Sequence, residues 1–377
     1  MAKNYILSPG PTPLPPYVRE AMSREIIHHR TPQFQAILKE VEEGLKYIYQ
    51  TSNDVFILAS SGTGAMETAV VNIVCPSDKV VVIDGGKFGE RWTELSKVYG
   101  AQIELVKVEW GKAVDPKVIK DILDKNKDVK AVFATQCETS TGVVNDIEAL
   151  GRIVKGTDAI LVVDAISGLG AIDLKTDAWS VDMVVCGSQK GLMLPPGLGF
   201  ISVSPKAHKL IQSCNNPRYY FDLRLAKKAL DKNDTAFTPA VTLVIALNEV
   251  LKNMRKEGLD KIFARNKRLA EATKKTMISL GLELLAPEAS SDAVTAVKVP
   301  DGIDGAKLVK TLRDEYGITI AGGQAHLKGK IFRIAHMGFI REDDLKVCIK
   351  TLEEVLSKMG YRFEEGKGLK TLEENLK

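Results

Sequence analysis

Three charged residues stand in apolar, strand-like surroundings where reactive chemistry is possible. Lys190 follows the apolar run 181–186 in a loop of glycines and prolines, Asp164 ends the apolar segment of DAILVVDAISGLG, and Arg333 interrupts the strand pattern of GKIFRIAHMGF. A lysine removed from water beside another cation has a lowered pKa, and its neutral amine forms Schiff bases with carbonyl compounds. An arginine in such a place offers a fork to a ligand carboxylate. These residue types indicate carbonyl chemistry.

The segment LASSGTGAMETAV places small polar residues between a predicted strand and a predicted helix. The residues at this junction are Ser60, Ser61, Gly62, Thr63 and Gly64. The first turn of a helix has unpaired N–H groups and the positive end of the dipole, so small residues there let a phosphate approach. An ordinary Ser or Thr N-cap remains an alternative. The segment has neither the P-loop pattern nor the dinucleotide pattern G-x-G-x-x-G.

Each charged residue also has an ordinary structural explanation. Asp164 can cap the following turn, Lys190 can be a solvated surface charge, and Arg333 can pair with a structural acid. Together with the phosphate cradle, however, Asp164 and Lys190 form the set that pyridoxal 5'-phosphate (PLP) requires. The aspartate keeps the pyridine nitrogen protonated, and the lysine holds the aldehyde and moves the proton. The set predicts a PLP site in which Lys190 is the attachment point.

The elements that position these residues alternate between strands and helices. Strands are predicted at residues 55–59, 79–84, 103–108, 131–135, 160–164, 183–186 and 199–203. The segments between them carry apolar residues at helical spacing. This alternation predicts an α/β fold with a mainly parallel sheet, covered on both faces. Ligands of such sheets bind outside the carboxyl ends of the strands, where Asp164 and Lys190 stand.

The character of the sequence changes after about residue 240. A long, charged, helix-rich stretch broken at Gly258 precedes weaker strand patterns, and helices are predicted near 305–316 and 342–359. We predict an N-terminal arm at 1–16, a large cofactor-binding domain at 17–257 and a smaller C-terminal α+β domain at 258–377. The polar tail EEGKGLKTLEENLK is predicted to be a solvated end.

Composition and charge narrow the class of protein. The 377 residues are 45% hydrophobic and 27% charged with a net charge of +4, which is typical of a soluble globular protein. The sequence has no basic stripe with interleaved aromatic residues, so nucleic-acid binding is not expected. Since no segment has the pattern of a signal peptide or a membrane span, a cytoplasmic location is expected. The five scattered cysteines are predicted to be reduced thiols, and the five histidines show no metal spacing.

The sequence resembles the class V aminotransferases of PLP fold type I, and among them the alanine–glyoxylate and serine–pyruvate aminotransferases. The resemblance runs nearly end to end through the ordered motifs PGPTPLPP, HHRTPQF, SSGTGAMETAVVN, ETSTGVV, VVDAISGLG, GSQKGLMLPPG and FRIAHMG. Any one motif is modest evidence, whereas the ordered set is specific. The resemblance implies transfer of an amino group from a small L-amino acid, alanine or serine, to glyoxylate or pyruvate by a ping-pong mechanism.

The resemblance also implies roles for the matching residues. Lys190 is the attachment point of PLP, and Asp164 pairs with its pyridinium nitrogen. Phe88 stacks on the cofactor ring, although a core phenylalanine remains the alternative, and Thr139 hydrogen-bonds near the ring hydroxyl. Around the phosphate the resemblance places Ser61, Gly62, Thr63 and Gln189.

The substrate and the oligomeric state are implied in the same way. Arg333 clamps the substrate α-carboxylate, and Gly10 of the opening loop lies at the substrate. Thr238 matches a threonine that reaches the phosphate of the neighbouring subunit, which implies a homodimer with shared active sites. A family tyrosine that precedes this threonine is replaced by Thr235 or a neighbour, so a second contact across the subunits is in doubt.

Other functions on the same or a related fold remain to be weighed. Cysteine desulfurases normally carry histidine before the attachment lysine and a catalytic cysteine on a late loop, whereas here Gln189 precedes Lys190 and Cys348 lies in a helical pattern. Phosphoserine aminotransferase needs further cations that the sequence does not place. A non-catalytic subunit that keeps the fold conflicts with the intact reactive residues, and a dinucleotide oxidoreductase lacks its glycine pattern. The amino donor stays open, because one arginine recognises any α-amino acid.

Overall fold

Strands and helices alternate through most of the chain in the computed structural model, which describes residues 4–377. The strands are β1 Tyr5–Ile6, β2 Asp54–Leu58, β3 Lys79–Asp84, β4 Gln102–Lys107, β5 Val129–Thr135, β6 Cys137–Glu138, β7 Val143–Val144, β8 Ile160–Asp164, β9 Met183–Gly187, β10 Gly199–Val203, β11 Val294–Lys298, β12 Ile318–Thr319, β13 Ala321–Gly322 and β14 Ile331–Ala335. The seven strands predicted for the large domain are confirmed to within one or two residues at each end.

The helices fill the connections between these strands. They are α1 Pro16–Met22, α2 Pro32–Tyr49, α3 Gly62–Ile73, α4 Lys87–Val98, α5 Pro116–Lys125, α6 Ile147–Lys155, α7 Pro205–Ser213, α8 Leu223–Leu230, α9 Val241–Glu257, α10 Leu259–Ser279, α11 Gly305–Tyr316, α12 Glu342–Lys358 and α13 Lys367–Leu376. Gly258 separates α9 from α10 at a φ of +88°, in the left-handed region that favours glycine. The predicted break is therefore real.

A seven-stranded sheet has the strand order β2-β10-β9-β8-β5-β3-β4. The neighbours from β9 to β4 are parallel, whereas β10 is antiparallel to both β9 and β2. The mainly parallel sheet is thus confirmed, with one reversed strand. Because β10 is reversed between them, β2 and β9 run in the same direction, and the carboxyl ends of β2, β8 and β9 lie at one edge.

Both faces of this sheet are covered. Along β8 the side chains alternate between two hydrophobic cores, Leu161 and Val163 in one and Ile160 and Val162 in the other, and all four are buried. This alternation explains why the strand reads as a continuous apolar run. The polar residue that ends such a strand, Asp164, is consequently held at a fixed place on the sheet edge.

A smaller sheet and its helices form a separate hydrophobic core. The strand order is β11-β14-β13, and Phe332 and Ile334 of β14 are buried in this core together with residues of α12. The N-terminal segment belongs here as well, because β1 pairs with β12 and Leu7 is buried in the same core. The first three residues of the predicted arm lie outside the described residues, and the predicted domain boundaries stay predictions.

The prediction of a solvated tail is wrong. Residues 367–376 form α13, whose Leu372 and Leu376 are buried against α10 and α12. The Glu353 carboxylate accepts hydrogen bonds from the amides of Gly368 and Leu369 and so satisfies the helix start. Two leucines at a spacing of four residues make one apolar stripe on a helix. The mostly polar composition of the segment gave no sign of this stripe.

The thiols and the surface complete the description. All five cysteines are free, and four are buried, whereas Cys75 is partly exposed with its sulfur 3.0 Å from that of Cys214. Over the described range 4–377, none of the helices has the length and apolar character that a bilayer crossing requires. The same range contains no group of three or more histidine, cysteine or acidic side chains able to hold a metal ion.

Candidate active site

The structure brings the predicted reactive residues to one edge of the large sheet. Asp164 is the last residue of β8 and pairs with Val185 of β9, and Lys190 follows the end of β9 by three residues. Leu58, which ends β2 ahead of α3, lies opposite Gly199, and Gly199 also pairs with Gly187. The acid, the lysine and the start of α3 therefore share one edge.

Lys190 is buried and covered by the N-terminal segment. Its side chain is 8% exposed, and its Nζ donates a hydrogen bond to the carbonyl oxygen of Pro9. The hydroxyl of Thr12 donates to the Lys190 carbonyl at 2.9 Å. Burial lowers the pKa of the Lys190 ammonium to about 8, and the charge of Arg333 acts in the same direction. The prediction of a solvated surface lysine does not apply, and a neutral amine is accessible near neutral pH.

Gly10 lies against the Lys190 side chain. An ideal Cβ at position 10 would stand 2.5 Å from Cε and 2.9 Å from Nζ of the lysine, and the residue has a φ of +121°. Only glycine fits at this approach, since both the backbone conformation and the space exclude a side chain. The structure thus brings Gly10 to the predicted site.

Asp164 is an almost fully buried acid. Its carboxylate accepts a hydrogen bond of 2.8 Å from the amide of Ile166, as in the turn cap that the sequence left open. Burial, with a smaller contribution from the Glu138 carboxylate, raises the pKa of Asp164 to about 7 against the lowering effects of the Ile166 amide and of the charges of Arg91 and Lys190. A positively charged partner would stabilise the ionised form of such a buried carboxyl.

The start of α3 offers donors to an anion. Ser61 is the N-cap residue, but its side chain makes no capping hydrogen bond, so the ordinary cap is wrong here. The side-chain oxygen Oε1 of Gln189 is buried without a partner. An ideal Cβ at Gly187 would lie 3.0 Å from this oxygen and 3.3 Å from the Gly62 nitrogen, so both groups border the same small space. A flipped amide would present its NH₂ group there.

Phe88, Thr139 and the buried Glu138 form one wall of the site. Phe88 is half-buried in the first turn of α4, and the amides of Phe88 and Gly89 donate to Glu138 Oε2 at 3.1 and 3.0 Å. The Thr139 hydroxyl hydrogen-bonds to that of Ser167. The backbone of Phe88 and the hydroxyl of Thr139, the residues predicted to face a cofactor ring and its hydroxyl, are therefore fixed by hydrogen bonds.

Arg333 is buried in β14 and bonded to carbonyl oxygens. Its Nη1 donates to the Thr139 oxygen at 2.7 Å, and its Nε and Nη2 donate to the Gly322 oxygen at 3.1 and 2.7 Å. Burial lowers the pKa of Arg333 to about 10. Pairing with a structural acid is thus wrong, because carbonyls hold the guanidinium. A guanidinium has five N–H groups, so one on each Nη remains for a ligand.

Several residues of the site were missed by sequence reasoning. Glu138 stands next to Thr139 in the motif CETSTG, and a buried acid just after β5 was the available signal. Arg91 follows Phe88 by one helical turn and donates to the Thr63 hydroxyl at 3.2 Å. Ser167 gave no signal, since only the folded chain brings it to Thr139.

The predicted role of Thr238 cannot be tested within a single chain. It lies between α8 and α9, its side chain is exposed, and it lines a cavity together with Ala59, Leu198 and Phe237. Its predicted role concerns a neighbouring subunit and stays a prediction. The roles of the other site residues also stay predictions, although the structure places them together.

The sequence matches the family Aminotransferase class-V over residues 4–342. The chain belongs to the class V aminotransferases.

Three curated relatives align with nearly the whole of this chain over nearly the whole of their own length. The soluble hydrogenase 42 kDa subunit of Anabaena cylindrica is 44% identical and matches 97% of each chain. The L-aspartate–glyoxylate aminotransferase of Paracoccus denitrificans is 36% identical, covering 99% and 96%, and the serine–glyoxylate aminotransferase of Methylorubrum extorquens is 36% identical, covering 97% and 94%.

Solved structures agree with this family. The ureidoglycine–glyoxylate aminotransferase from Bacillus subtilis has a TM-score of 0.96 at 30% identity and covers 100% of this chain and 98% of its own. The alanine–glyoxylate aminotransferase from Nostoc sp. has a TM-score of 0.91 at 30% identity, covering 94% and 96%. The predicted family, the α/β fold of PLP fold type I and the aminotransferase activity are confirmed.

The residues of this class V aminotransferase fit PLP, the cofactor that its fold implies. A protonated ring nitrogen would give Asp164 the cation that its buried, proton-retaining carboxyl lacks. The uncapped helix start suits a phosphate, and so does the Gln189 side chain once its amide is flipped, because its unpartnered oxygen then gives way to the NH₂ donor. Lys190 has a lowered pKa, which suits an amine that attacks an aldehyde.

Proposed function

We propose that this chain is a PLP-dependent aminotransferase that moves an amino group from a small L-amino acid, alanine or serine, to glyoxylate or pyruvate. The observation that carries the proposal is the burial of Lys190 beside Asp164, at the sheet edge where the uncapped helix α3 begins. A buried lysine is costly unless its amine has a chemical use, and the charge of Asp164 offsets only part of this cost, because burial still lowers the pKa of Lys190 to about 8. The family supplies that use.

PLP, when bound, supplies an electron sink that stabilises negative charge at the substrate α-carbon. With PLP in place, Asp164 would keep the proton on the ring nitrogen, and Phe88 would pack against the ring. Lys190 would hold the aldehyde until the substrate amino group replaces it, and its freed neutral amine would then accept and move the α-proton. Its low pKa serves this exchange, because a base works best when its pKa lies near the working pH.

Substrate selection rests on Arg333. Its two remaining N–H groups, one on each Nη, form a fork for the α-carboxylate, while Thr139 and Gly322 fix the guanidinium plane. The Gly10 segment closes over Lys190 and excludes water from the amine. The same fork receives the amino acid in the first half-reaction and the 2-oxo acid in the second.

The relatives' names support glyoxylate more firmly than any one donor. Four of those reported above pair glyoxylate with aspartate, serine, alanine or ureidoglycine. Alanine and serine are proposed as donors, since each needs little room beyond the carboxylate fork.

The active site is proposed to be shared between two subunits, with Thr238 of one chain at the phosphate of the other. Thr238 is exposed and neighbours an exposed aromatic group in which the rings of Tyr219 and Tyr220 lie 5.4 and 5.1 Å from that of Phe237. Tyr219 is 74% exposed. Clustered exposed aromatic rings are typical of an interface.

Two half-reactions followed by absorbance test the proposal. The purified yellow protein is mixed with alanine, serine or aspartate, and glyoxylate or pyruvate is then added. We expect alanine or serine to shift the cofactor band and the oxo acid to restore it. In Arg333→Lys, which lacks the fork, KM for every donor should rise at least about tenfold. A band that no amino acid shifts would contradict the proposal.

A second candidate is a non-catalytic subunit that keeps the fold. The name of the Anabaena cylindrica relative, a hydrogenase subunit, favours it. The assembly of Lys190, Asp164 and Arg333 at one site counts against it. The same absorbance experiment separates the two, because a scaffold need not turn over amino acids.

A further inference from the structure

Beyond the residues assigned above, the geometry points to Arg91 as an anchor for the phosphate of the cofactor. We propose that its guanidinium binds this phosphate at the start of α3 and, from the same position, holds Phe88 against the ring. The inference rests on the proposed function, because it requires that PLP occupies the site.

Arg91 spans the distance between the two parts of the cofactor site. Its Nη1 lies 3.2 Å from the hydroxyl of Thr63, the second residue of α3, and its Cζ lies 5.1 Å from the centre of the Phe88 ring. One end of the predicted site binds the phosphate and the other stacks on the ring. The guanidinium touches a residue of each.

The charge of Arg91 acts on the buried Asp164 without an ion pair between the two side chains. In the part of the chain that the structure describes, residues 4–377, no ion pair joins Arg91 to a carboxylate. The nearest acid along α4, Glu90, pairs with Lys87 instead. A half-buried guanidinium normally has an anionic partner. The phosphate, a dianion next to Thr63, supplies it.

The helix start alone gives only part of the neutralisation that a dianion needs. The dipole of α3 contributes about half a positive charge, and the Gln189 amide carries none. Lys190 is committed to the aldehyde. Arg91 then supplies a full positive charge at the phosphate end of the site, and its planar guanidinium suits phosphate oxygens.

The same guanidinium has an alternative ligand, the side-chain carboxylate of an acidic donor such as aspartate. The contact with Thr63 favours the phosphate, because Thr63 lies in the first turn of α3. The carboxylate fork of Arg333, by contrast, is fixed by Thr139 and Gly322. The two ligands make different predictions for binding and for kinetics.

The test compares PLP with pyridoxal, which has the same ring and aldehyde but no phosphate. Dissociation constants of both are measured by absorbance for the wild type, Arg91→Gln and Arg91→Lys after bound cofactor has been removed. Loss of a charge-assisted hydrogen bond predicts PLP binding weaker by at least about tenfold in Arg91→Gln, whereas pyridoxal, which keeps only the ring contact through Phe88, should weaken by much less. Arg91→Lys should be intermediate. Arg152→Gln, at an exposed position on α6, is the matched control and should match the wild type.

Several outcomes would overturn the inference. Equal weakening of PLP and pyridoxal in Arg91→Gln would assign Arg91 to the ring or to the fold alone. Unchanged PLP binding with a raised KM for aspartate but not for alanine would assign it to the donor side chain. A wild type that binds no PLP would refute the proposed function itself, whereas a PLP-binding wild type with unaffected variants would refute only the role of Arg91.

Discussion

Lys190 and Asp164 are buried ionisable residues whose protonation the site itself controls. Burial moves the pKa of the lysine down to about 8 and that of the aspartate up to about 7. Each shift alone costs folding free energy, because the charged form is removed from water. A cationic ring nitrogen opposite the aspartate and an aldehyde at the lysine would relieve both costs. The site is thus built for one particular ligand.

The raised pKa of Asp164 predicts a pH dependence of stability in the cofactor-free protein. The native carboxyl keeps its proton up to about pH 7, whereas the unfolded one loses it near 3.8. The native state therefore binds more protons between these values, and its unfolding free energy falls as the pH rises through this window. Asp164→Asn lacks this loss.

Urea unfolding of both proteins at pH 5 and pH 7 measures this effect. The stability of Asp164→Asn relative to the wild type should increase with pH by up to about 1.4 kcal/mol per pH unit. Stability differences that stay constant from pH 5 to 7 would show that the carboxyl titrates below the window. Glu148→Gln, at an exposed site on α6, serves as the control and should show no such trend.

At the scale of elements, strand ends decide where the chemistry lies. The apolar runs of β8 and β9 were predictable because strands covered on both faces are continuously hydrophobic, and Asp164 and Lys190 follow directly from their ends. Glu138 was not predictable in the same way. Besides the nearby Ser140, its partners are the amides of Phe88 and Gly89, about fifty positions earlier, and only the packing of α4 beside β5 joins them to it.

The C-terminal helix shows a second limit of sequence reasoning. Its composition is polar, and its role depends on two leucines and on the Glu353 carboxylate of α12, which accepts a hydrogen bond from the Gly368 amide at the start of the helix. Amphipathicity in a single ten-residue segment is a weak signal until the surface it covers is known. That surface, α10, is a long helix which would otherwise expose apolar side chains.

Replacement of one buried leucine tests the role of α13. Leu372 is fully buried, so Leu372→Ala should lower the free energy of unfolding by about 2–5 kcal/mol, through lost burial and the cavity left behind. Lys370→Ala, two positions earlier on the exposed face, should leave it nearly unchanged. Thermal and urea unfolding check both. Equal stabilities of the two variants would mean that the tail is solvated after all.

At the scale of the whole molecule, the N-terminal segment links both cores to the site. Its β1 pairs with β12 of the small sheet, and a few residues later Gly10 and Thr12 lie on Lys190. Movement of the small core relative to the large sheet would therefore shift the segment that covers the Lys190 amine. The sequence motif PGPTPLPP marked this segment, but its contact with Lys190 depends on the tertiary fold.

Sharing of the site between subunits is a proposal that rests on the resemblance, since a single chain leaves Thr238 exposed. Complementation tests it. Lys190→Ala lacks the attachment residue, and in a shared site Thr238→Asp would place a like charge at the partner's phosphate. Each variant alone should be inactive or strongly impaired, whereas dimers mixed from both contain one intact site and should regain activity.

The control for this mixture is Lys190→Ala with the double variant Lys190→Ala, Thr238→Asp. None of its dimers holds an intact site, so it should stay inactive. Activity in the first mixture no higher than the sum of its separate components would place each site within a single subunit.

The covalent link at Lys190 is the claim on which the other roles depend. The wild type is purified with its cofactor, reduced with borohydride to fix the lysine–cofactor bond as a stable secondary amine, digested, and mapped by mass spectrometry. We predict a phosphopyridoxyl group on the peptide that contains Lys190, and none in Lys190→Ala. A label on a different lysine, or a wild type that carries no label while its cofactor band is present before reduction, would contradict the account.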